Sequence, residues 1–340
     1  MQYHEAFLDS EVYKKEYISG LEDWITKKEK EAEKVRAEHI KDIFADPETY
    51  RAELAEMLGY PLCEKRPETA PSVQMEKLSE EESYTVYRMR YEILEGVLMT
   101  GLFFRQKGDE KKPLVIVQHG GEGSPELISG VYGFTNNYND MLMRVFKHGV
   151  HVFAPQLLLW KPQRFGAPYD RDAIDARLKS LGSSIAAVEV YGITRALDYF
   201  EGLPYVGKFG MVGLSYGGFY TQYTTALDTR IRSAISCSYF NERKACFHAD
   251  WSWKGSANRL QDAEIACLVY PRRLCIELGR SDELFACESG IAEFERLKAL
   301  CAPLGTDADW LDFILYDGTH EFCLEDTPIE RLVADIQNDR

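Results

Sequence analysis

The segment from Lys208 to Tyr220 carries the clearest chemical signal in the sequence. An apolar run, Phe209 to Val212, leads into Gly213-Leu-Ser215-Tyr-Gly217 and then into a further apolar and aromatic stretch. This order predicts a buried strand, a tight turn and a helix, with Ser215 at the apex of the turn. Glycines flank such a serine because the strand and helix leave no room for side chains there. The alternative is a glycine-rich turn without chemistry in another α/β protein.

Two later loops supply an acid and a histidine. Asp282 follows one apolar run, in Gly-Arg-Ser-Asp-Glu, and His320 follows the next, in Asp-Gly-Thr-His-Glu. Active residues of open α/β sheets collect at the carboxyl ends of strands. A serine needs a base to accept its proton, histidine suits that role near neutral pH, and a buried carboxylate orients the imidazole. The sequence therefore predicts Ser215 as nucleophile, His320 as base and Asp282 as acid.

Each role has competitors. Glu283 and Asp317 lie close enough in the sequence to compete with Asp282 for the role of acid. The other histidines lie in other segments of the chain: His4, His39, His119, His148, His151 and His248. Of these, His119 is expected to hydrogen-bond to backbone and brace its loop rather than act in catalysis.

A glycine-rich loop is predicted to stabilise developing negative charge. The apolar run ending at Gln118 is followed by His119-Gly-Gly121-Glu122-Gly. Acyl transfer needs backbone N–H groups aimed at the oxyanion, commonly including that of the residue after the nucleophile. We therefore expect the N–H groups of Tyr216 and Gly121 to be the donors, with Glu122 as the less favoured alternative to Gly121.

The elements that position these residues alternate between strands and helices. From Tyr84 onward, two antiparallel edge strands are followed by this alternation, which predicts an α/β fold with a doubly wound, mostly parallel sheet. A long helix is expected to end near Phe200. Residues 239–271 contain no clear strand and are predicted to form a cap-like insertion. The catalytic domain is therefore assigned to residues 84–340.

The first 83 residues are predicted to form a separate region. Residues 1–59 have apolar positions at helical spacing, with a second helix capped by Asp46 and started by Pro47. Residues 62–83 are rich in proline and glutamate and are interpreted as a connector. The helical appendage could cover the site or mediate a dimer, so homo-oligomerisation is left open.

Composition excludes several classes of function. A formal net charge of −15 argues against nucleic-acid binding, which needs clustered Lys and Arg. No run of about 20 apolar residues indicates a membrane span, and the start of the chain lacks a signal peptide, so a cytoplasmic location is expected. The eight cysteines are scattered along the chain and are predicted to be free thiols rather than a disulfide framework. No metal-ligand or nucleotide motif appears, so no metal and no cofactor are predicted.

These motifs together resemble those of the α/β-hydrolase superfamily, closest to its dienelactone hydrolase, acetyl xylan esterase and prolyl oligopeptidase-like branch. The resemblance covers residues from about 84 to the C-terminus. It implies a serine hydrolase that cleaves a small-molecule carboxylic ester through an acyl-enzyme. A peptidase of the prolyl oligopeptidase-like type is the alternative, although propeller repeats are missing, and a non-catalytic binding protein is a further one.

Aromatic and basic residues near the predicted site are weaker candidates for substrate contact. Trp251 and Trp253 in the insertion, and Trp160 in the loop after the strand at His151, could line an acyl or sugar pocket. Packing within the cap is the favoured alternative for the two insertion tryptophans. Arg243 could recognise an acidic group but is expected to pair with a nearby carboxylate instead.

Overall fold

The structure is a computed structural model that describes residues 3–159, 168–246, 248–305 and 309–338. The strands in these residues are β1 (Val73–Glu80), β2 (Tyr84–Leu94), β3 (Val97–Gln106), β4 (Lys112–Gln118), β5 (His151–Pro155), β6 (Val206–Leu214), β7 (Ile231–Cys237), β8 (Arg273–Gly279) and β9 (Leu311–Tyr316). They form one nine-stranded sheet in the order β1-β2-β3-β5-β4-β6-β7-β8-β9. The first three strands are antiparallel, and β4 to β9 run parallel. The predicted α/β class with antiparallel edge strands is confirmed.

Helices cover both faces of the sheet. They are α1 (Glu11–His39), α2 (Pro47–Leu58), α3 (Pro125–Ile128), α4 (Met141–Phe146), α5 (Arg171–Ser180), α6 (Ile185–Glu201), α7 (Tyr216–Leu227), α8 (Ser256–Arg259), α9 (Asp262–Cys267), α10 (Cys287–Cys301) and α11 (Thr327–Gln337). Buried side chains of α2, α6, α7 and α9 join one apolar core, whereas those of α4 and α11 join a second core on the opposite face. None of the helices in the described part of the chain combines the length and apolar character needed to cross a bilayer.

Two expectations from the sequence were wrong. Residues 73–80, interpreted as part of a connector, form the edge strand β1, in which Val73 pairs with Tyr91 and Met75 with Met89. Val73 and Met75 pack against the core while Gln74 between them faces solvent, so the alternation of a half-buried strand is present. The division of the chain at residue 83 therefore cuts through this sheet edge.

The long helix predicted to end near Phe200 is instead two helices, α5 and α6. Gly182 has a φ of +80°, a left-handed conformation that ends the first helix. The hydroxyl of Ser184 then accepts a hydrogen bond from the N–H of Ala187 at 3.1 Å and starts the second helix. The Leu-Gly-Ser-Ser sequence at this point contains both signals.

The N-terminal helices form as predicted, and their C-terminal parts are fixed to the main body. Asp46 caps α2 through the N–H of Thr49, and Pro47 occupies the first turn. The guanidinium of Arg51 donates to the carbonyl oxygens of Ala226 and Leu268 at 3.0 and 2.8 Å. These contacts hold α2 against α7 and the C-terminal end of α9.

Candidate active site

Ser215 lies between β6 and α7 in a strained turn. Its φ and ψ are +61° and −124°, a conformation that non-glycine residues rarely adopt. A Cβ atom on Gly213 would lie 2.2 Å from the carbonyl oxygen of Gly217, and one on Gly217 would lie 2.2 Å from that of Gln118. Both glycines are therefore required by backbone packing, as the pattern around the serine predicts.

The structure brings Asp282 and His320 together. Nδ1 of His320 lies 2.9 Å from Oδ2 and 3.1 Å from Oδ1 of Asp282. The carboxylate also accepts hydrogen bonds from the N–H groups of Leu284 and Phe285, both at 2.9 Å. Burial by itself raises the pKa of Asp282, but the hydrogen bonds from His320 and these amides lower it below its usual value. The carboxylate is thus held ionised and oriented toward the imidazole.

The competing carboxylates occupy different positions. The side chain of Asp317 is 94% exposed and pairs with Arg280 at 3.2 Å, so it does not approach the imidazole. Glu283 accepts a long hydrogen bond of 3.4 Å from the backbone N–H of His320 rather than from its ring. The geometry therefore favours Asp282 as the partner of the imidazole.

Neighbouring residues fix the position of the histidine loop. The ring of Phe285 stacks against that of His320, with centroids 5.5 Å apart. The side-chain amide of Asn137 donates to the carbonyl oxygen of His320 at 2.9 Å, and the backbone carbonyl oxygen of Asn137 accepts from the N–H of Phe322 at 2.8 Å. The hydroxyl of Ser215 makes no hydrogen bond within the described residues. In this conformation His320 is therefore hydrogen-bonded to Asp282 but not to Ser215.

The glycine-rich loop after β4 packs directly on the turn that carries the serine. A Cβ atom on Gly120 would lie 2.8 Å from the carbonyl oxygen of Leu214 and 3.0 Å from Cβ of Ser215. The N–H of Gly120 donates to the hydroxyl of Tyr138 at 2.8 Å. The glycine-rich loop is thus held in contact with the serine turn through Gly120.

Hydrogen bonding within the loop distinguishes Gly121 from Glu122. The N–H of Glu122 donates to the carbonyl oxygen of Leu159 at 3.3 Å and is therefore engaged. The N–H of Gly121 makes no hydrogen bond to any described residue. Of the two alternatives from the sequence, Gly121 has the available donor.

His119 is a brace for this loop, as expected. It is fully buried, its Nδ1 lies 2.9 Å from the carbonyl oxygen of Gly120, and its Nε2 accepts from the N–H of Leu157 at 3.1 Å. Burial lowers the pKa of His119 to about 4, against the opposing effect of the Gly120 carbonyl. The imidazole is therefore neutral and donates through Nδ1.

The protein resembles known proteins in its structure but not in its sequence. The sequence matches no protein-family model and no curated protein sequence. Among solved structures, the chain is similar to a protein of Bacteroides fragilis assigned as an acetyl xylan esterase, with a TM-score of 0.63, 16% identity, and coverage of 79% of this chain and 74% of the other. It is also similar to a glucuronoyl esterase of Solibacter usitatus, with a TM-score of 0.60, 13% identity, and coverage of 84% and 91%. The chain has the α/β-hydrolase fold.

A third neighbour agrees with that assignment. Acetyl xylan esterase 1 of a Thermoanaerobacterium species matches with a TM-score of 0.55 and 14% identity over 85% of this chain and 93% of the other. Within the α/β-hydrolase fold, Ser215, Asp282 and His320 each follow the carboxyl end of a strand, β6, β8 and β9 respectively.

The two tryptophans of the insertion lie in the core of the α/β-hydrolase fold. Trp251 is 1% exposed, and its ring lies 4.5 Å from that of Tyr216. Trp253 is 8% exposed and stacks on Phe219 with an interplanar angle of 10°. These contacts support the packing role rather than direct substrate contact. Trp160 lies outside the described residues.

The basic residue considered for substrate recognition, Arg243, has a carboxylate partner. Arg243 is buried and pairs with Asp262, which in turn accepts a hydrogen bond of 2.8 Å from the hydroxyl of Tyr239.

No group of three or more His, Cys, Asp or Glu residues in the described ranges is arranged to hold a metal ion.

A buried ionic network that sequence reasoning missed lies behind the serine turn. The guanidinium of Arg171 donates to Asp250 at 2.7 Å, to Glu189 at 3.0 Å and to the hydroxyl of Tyr220 at 2.9 Å. Asp250 also accepts a hydrogen bond from the hydroxyl of Tyr216 at 3.2 Å. Because buried charges are costly unless paired, each of these groups depends on the others.

The same network reaches the loop opposite the serine. Glu189 accepts a hydrogen bond of 2.7 Å from the N–H of Leu158, and Arg171 donates to the carbonyl oxygen of that residue. The next residue, Leu159, accepts from Glu122 in the glycine-rich loop. Arg171 is therefore connected to Tyr216 on one side of the site and to the glycine-rich loop on the other.

Proposed function

We propose that the protein is a serine hydrolase that cleaves carboxylic esters by way of an acyl-enzyme. The observation that carries the proposal is the 2.9 Å contact between His320 and Asp282, together with a serine held in a strained turn at the end of another strand of the same sheet. Strained backbone of this kind concentrates at functional sites. The three solved structures named above are described as acetyl xylan or glucuronoyl esterases, which supports an ester of a sugar or sugar acid as substrate.

The proposed reaction begins with attack by Ser215. Nε2 of His320 accepts the proton of the hydroxyl as the oxygen bonds to the carbonyl carbon of the ester, and Asp282 stabilises the resulting imidazolium. The N–H groups of Gly121 and Tyr216 stabilise the oxyanion of the tetrahedral intermediate. Collapse of the intermediate breaks the bond to the alcohol, which takes the proton from His320. Water, deprotonated by the same imidazole, then releases the acid and restores the serine.

The test combines covalent labelling with turnover. A fluorophosphonate probe is expected to label the wild-type protein and the Ser180→Ala variant, whose exposed serine is a matched control, but not Ser215→Ala. Ser215→Ala is also expected to lose hydrolysis of 4-nitrophenyl acetate while retaining the circular dichroism spectrum of the wild type. Retained activity in a folded Ser215→Ala protein would overturn the assignment of the nucleophile.

Substrate panels separate the remaining alternatives. Hydrolysis of acetylated sugars and of sugar-acid esters is expected to exceed that of aminoacyl-arylamides. The reverse preference would indicate a peptidase, and failure of the wild type to react with the fluorophosphonate would indicate a binding protein instead.

A further inference from the structure

The first helix extends away from the rest of the protein. Every residue from 12 to 28 is exposed, whereas Ala32 and Arg36 near the C-terminal end of α1 are buried. The Nε atom of Arg36 donates to Glu264 at 3.0 Å and fixes that end to the main body. The free segment is about 25 Å long at 1.5 Å per residue. Isolated helices of this length are only marginally stable in water, since most helical stability in proteins comes from packing of an apolar face.

The free segment has such an apolar face, and its residues are exposed to solvent. Its members follow the i, i+3, i+4 spacing that places side chains on one side of a helix. They are between 38% and 73% exposed: Tyr13, Tyr17, Ile18, Leu21, Trp24 and Ile25. The same side of α1 continues into Ala32 and Arg36, which pack on the body. We refer to these six residues as the apolar face of α1.

The size of this face matches an interface. The exposed parts of the six side chains amount to roughly 700 Å² of surface, with aromatic side chains contributing most of it. The largest exposed apolar patch on a typical monomer is about 300–600 Å², and a stable interface buries about 800 Å² on each partner. The apolar face of α1 thus exceeds what a monomer usually exposes and approaches what one side of a dimer needs.

Charge favours a second copy of this chain over a lipid surface. Between Glu11 and Glu31 the helix carries five lysines and six acidic residues, and the whole chain has a net charge of −15. Helices that bind membranes are rich in Lys and Arg on their polar side, because the lipid surface is negative. A helix with nearly balanced charges lacks that attraction, whereas its charges can pair with those of an identical helix.

We propose that the apolar face of α1 binds the same face on a second copy, which forms a two-fold symmetric dimer. The dimer is separate from the catalytic residues, because the free segment of α1 contacts none of them. Identical faces satisfy the self-complementarity that a two-fold interface requires.

Sedimentation equilibrium of the full chain tests this proposal. The wild type is expected to be a dimer at 10 µM, and Leu21→Glu with Ile25→Glu is expected to give a monomer with unchanged ester hydrolysis. The matched control is Ser19→Glu with Thr26→Glu, which adds the same charge to the opposite side of the same helix and is expected to leave the dimer intact.

Other results would overturn the proposal. A monomeric wild type at 100 µM would do so, as would dissociation of the dimer by the control variant to the same extent. Binding of a monomeric wild type to vesicles of phosphatidylcholine and phosphatidylserine would identify the face as a lipid-binding surface instead.

Discussion

The hydroxyl of Tyr216 donates a hydrogen bond to Oδ1 of Asp250 across 3.2 Å, although the two residues lie in different segments of the chain. Asp250 is also bound by Arg171, and the ring of Tyr216 lies 5.5 Å from that guanidinium. The backbone N–H of Tyr216 is one of the two proposed oxyanion donors, so its side chain anchors a peptide that would stabilise the developing charge.

Tyr216→Phe is expected to weaken both stability and catalysis without unfolding the protein. Loss of one buried hydrogen bond should lower the free energy of unfolding by about 1 kcal/mol. Because the anchor acts on a group that binds the oxyanion, we expect kcat to fall several-fold while KM is unchanged. Urea unfolding and steady-state kinetics measure these effects. Tyr199→Phe, whose hydroxyl bonds to no described residue, is the control, and an equal effect there would contradict the prediction.

Asp282→Asn is expected to reduce kcat by about 10³ to 10⁴-fold, since the amide no longer stabilises an imidazolium. The pH dependence of stability gives a second measurement. The pKa of Asp282 is lowered in the folded protein, so its carboxylate contributes stability above its unfolded-state pKa of about 3.9, and that contribution is lost as the pH falls further. The difference in unfolding free energy between wild type and variant should therefore be constant from about pH 5 to 8 and shrink below about pH 4. A difference at pH 3 as large as that at pH 7 would count against a lowered pKa of Asp282 in the folded protein.

Glu277 is expected to change the stability with pH in the opposite direction to Asp282. It is fully buried on β8, its Oε2 atom has no hydrogen-bond partner among the described residues, and burial raises its pKa to about 7. The folded protein therefore prefers the protonated acid, so stability should fall as the pH rises from about 4.5 to about 7. Glu277→Gln should remove this loss and be more stable than wild type at pH 8 by up to about 3 kcal/mol. Urea unfolding at pH 5 and pH 8 measures it, with the exposed Asp317→Asn as control. An unchanged pH dependence in Glu277→Gln would refute the assignment.

Gly213→Ala is expected to lower the free energy of unfolding by about 3 kcal/mol or more, because its methyl group would overlap the backbone of Gly217. Gly202→Ala provides the comparison, since a Cβ atom there would lie 3.5 Å from the nearest atom, the carbonyl oxygen of Tyr199. Thermal unfolding of the two variants should separate clearly. Equal melting temperatures would show that the turn can relax around a side chain.

The parts of the site that could be predicted from the sequence are those with local signals. Ser215 is marked by its flanking glycines, and Asp282 and His320 each follow an apolar run that forms a strand. The brace formed by His119 was predicted from the loop that it belongs to.

The network around Arg171 could not be predicted in this way. Its partners Glu189 and Asp250 lie 18 and 79 residues further along the chain, and a charged residue in sequence looks exposed until its partner is known. Asn137, which holds the histidine loop, is 183 residues from His320. Strand β1 was missed for a different reason. Its alternating pattern is present in the sequence, but the surrounding prolines and glutamates favoured the interpretation as a connector.

The backbone conformation at Ser215 lowers the stability of the fold at the position of the proposed nucleophile. A non-glycine residue with a φ of +61° and a ψ of −124° costs about 1–3 kcal/mol, a cost that glycine avoids. Ser215→Gly is therefore expected to fold more stably than the wild type while lacking the proposed nucleophile. Substitution of the serine by glycine would thus stabilise the fold and remove the hydroxyl on which the proposed chemistry depends.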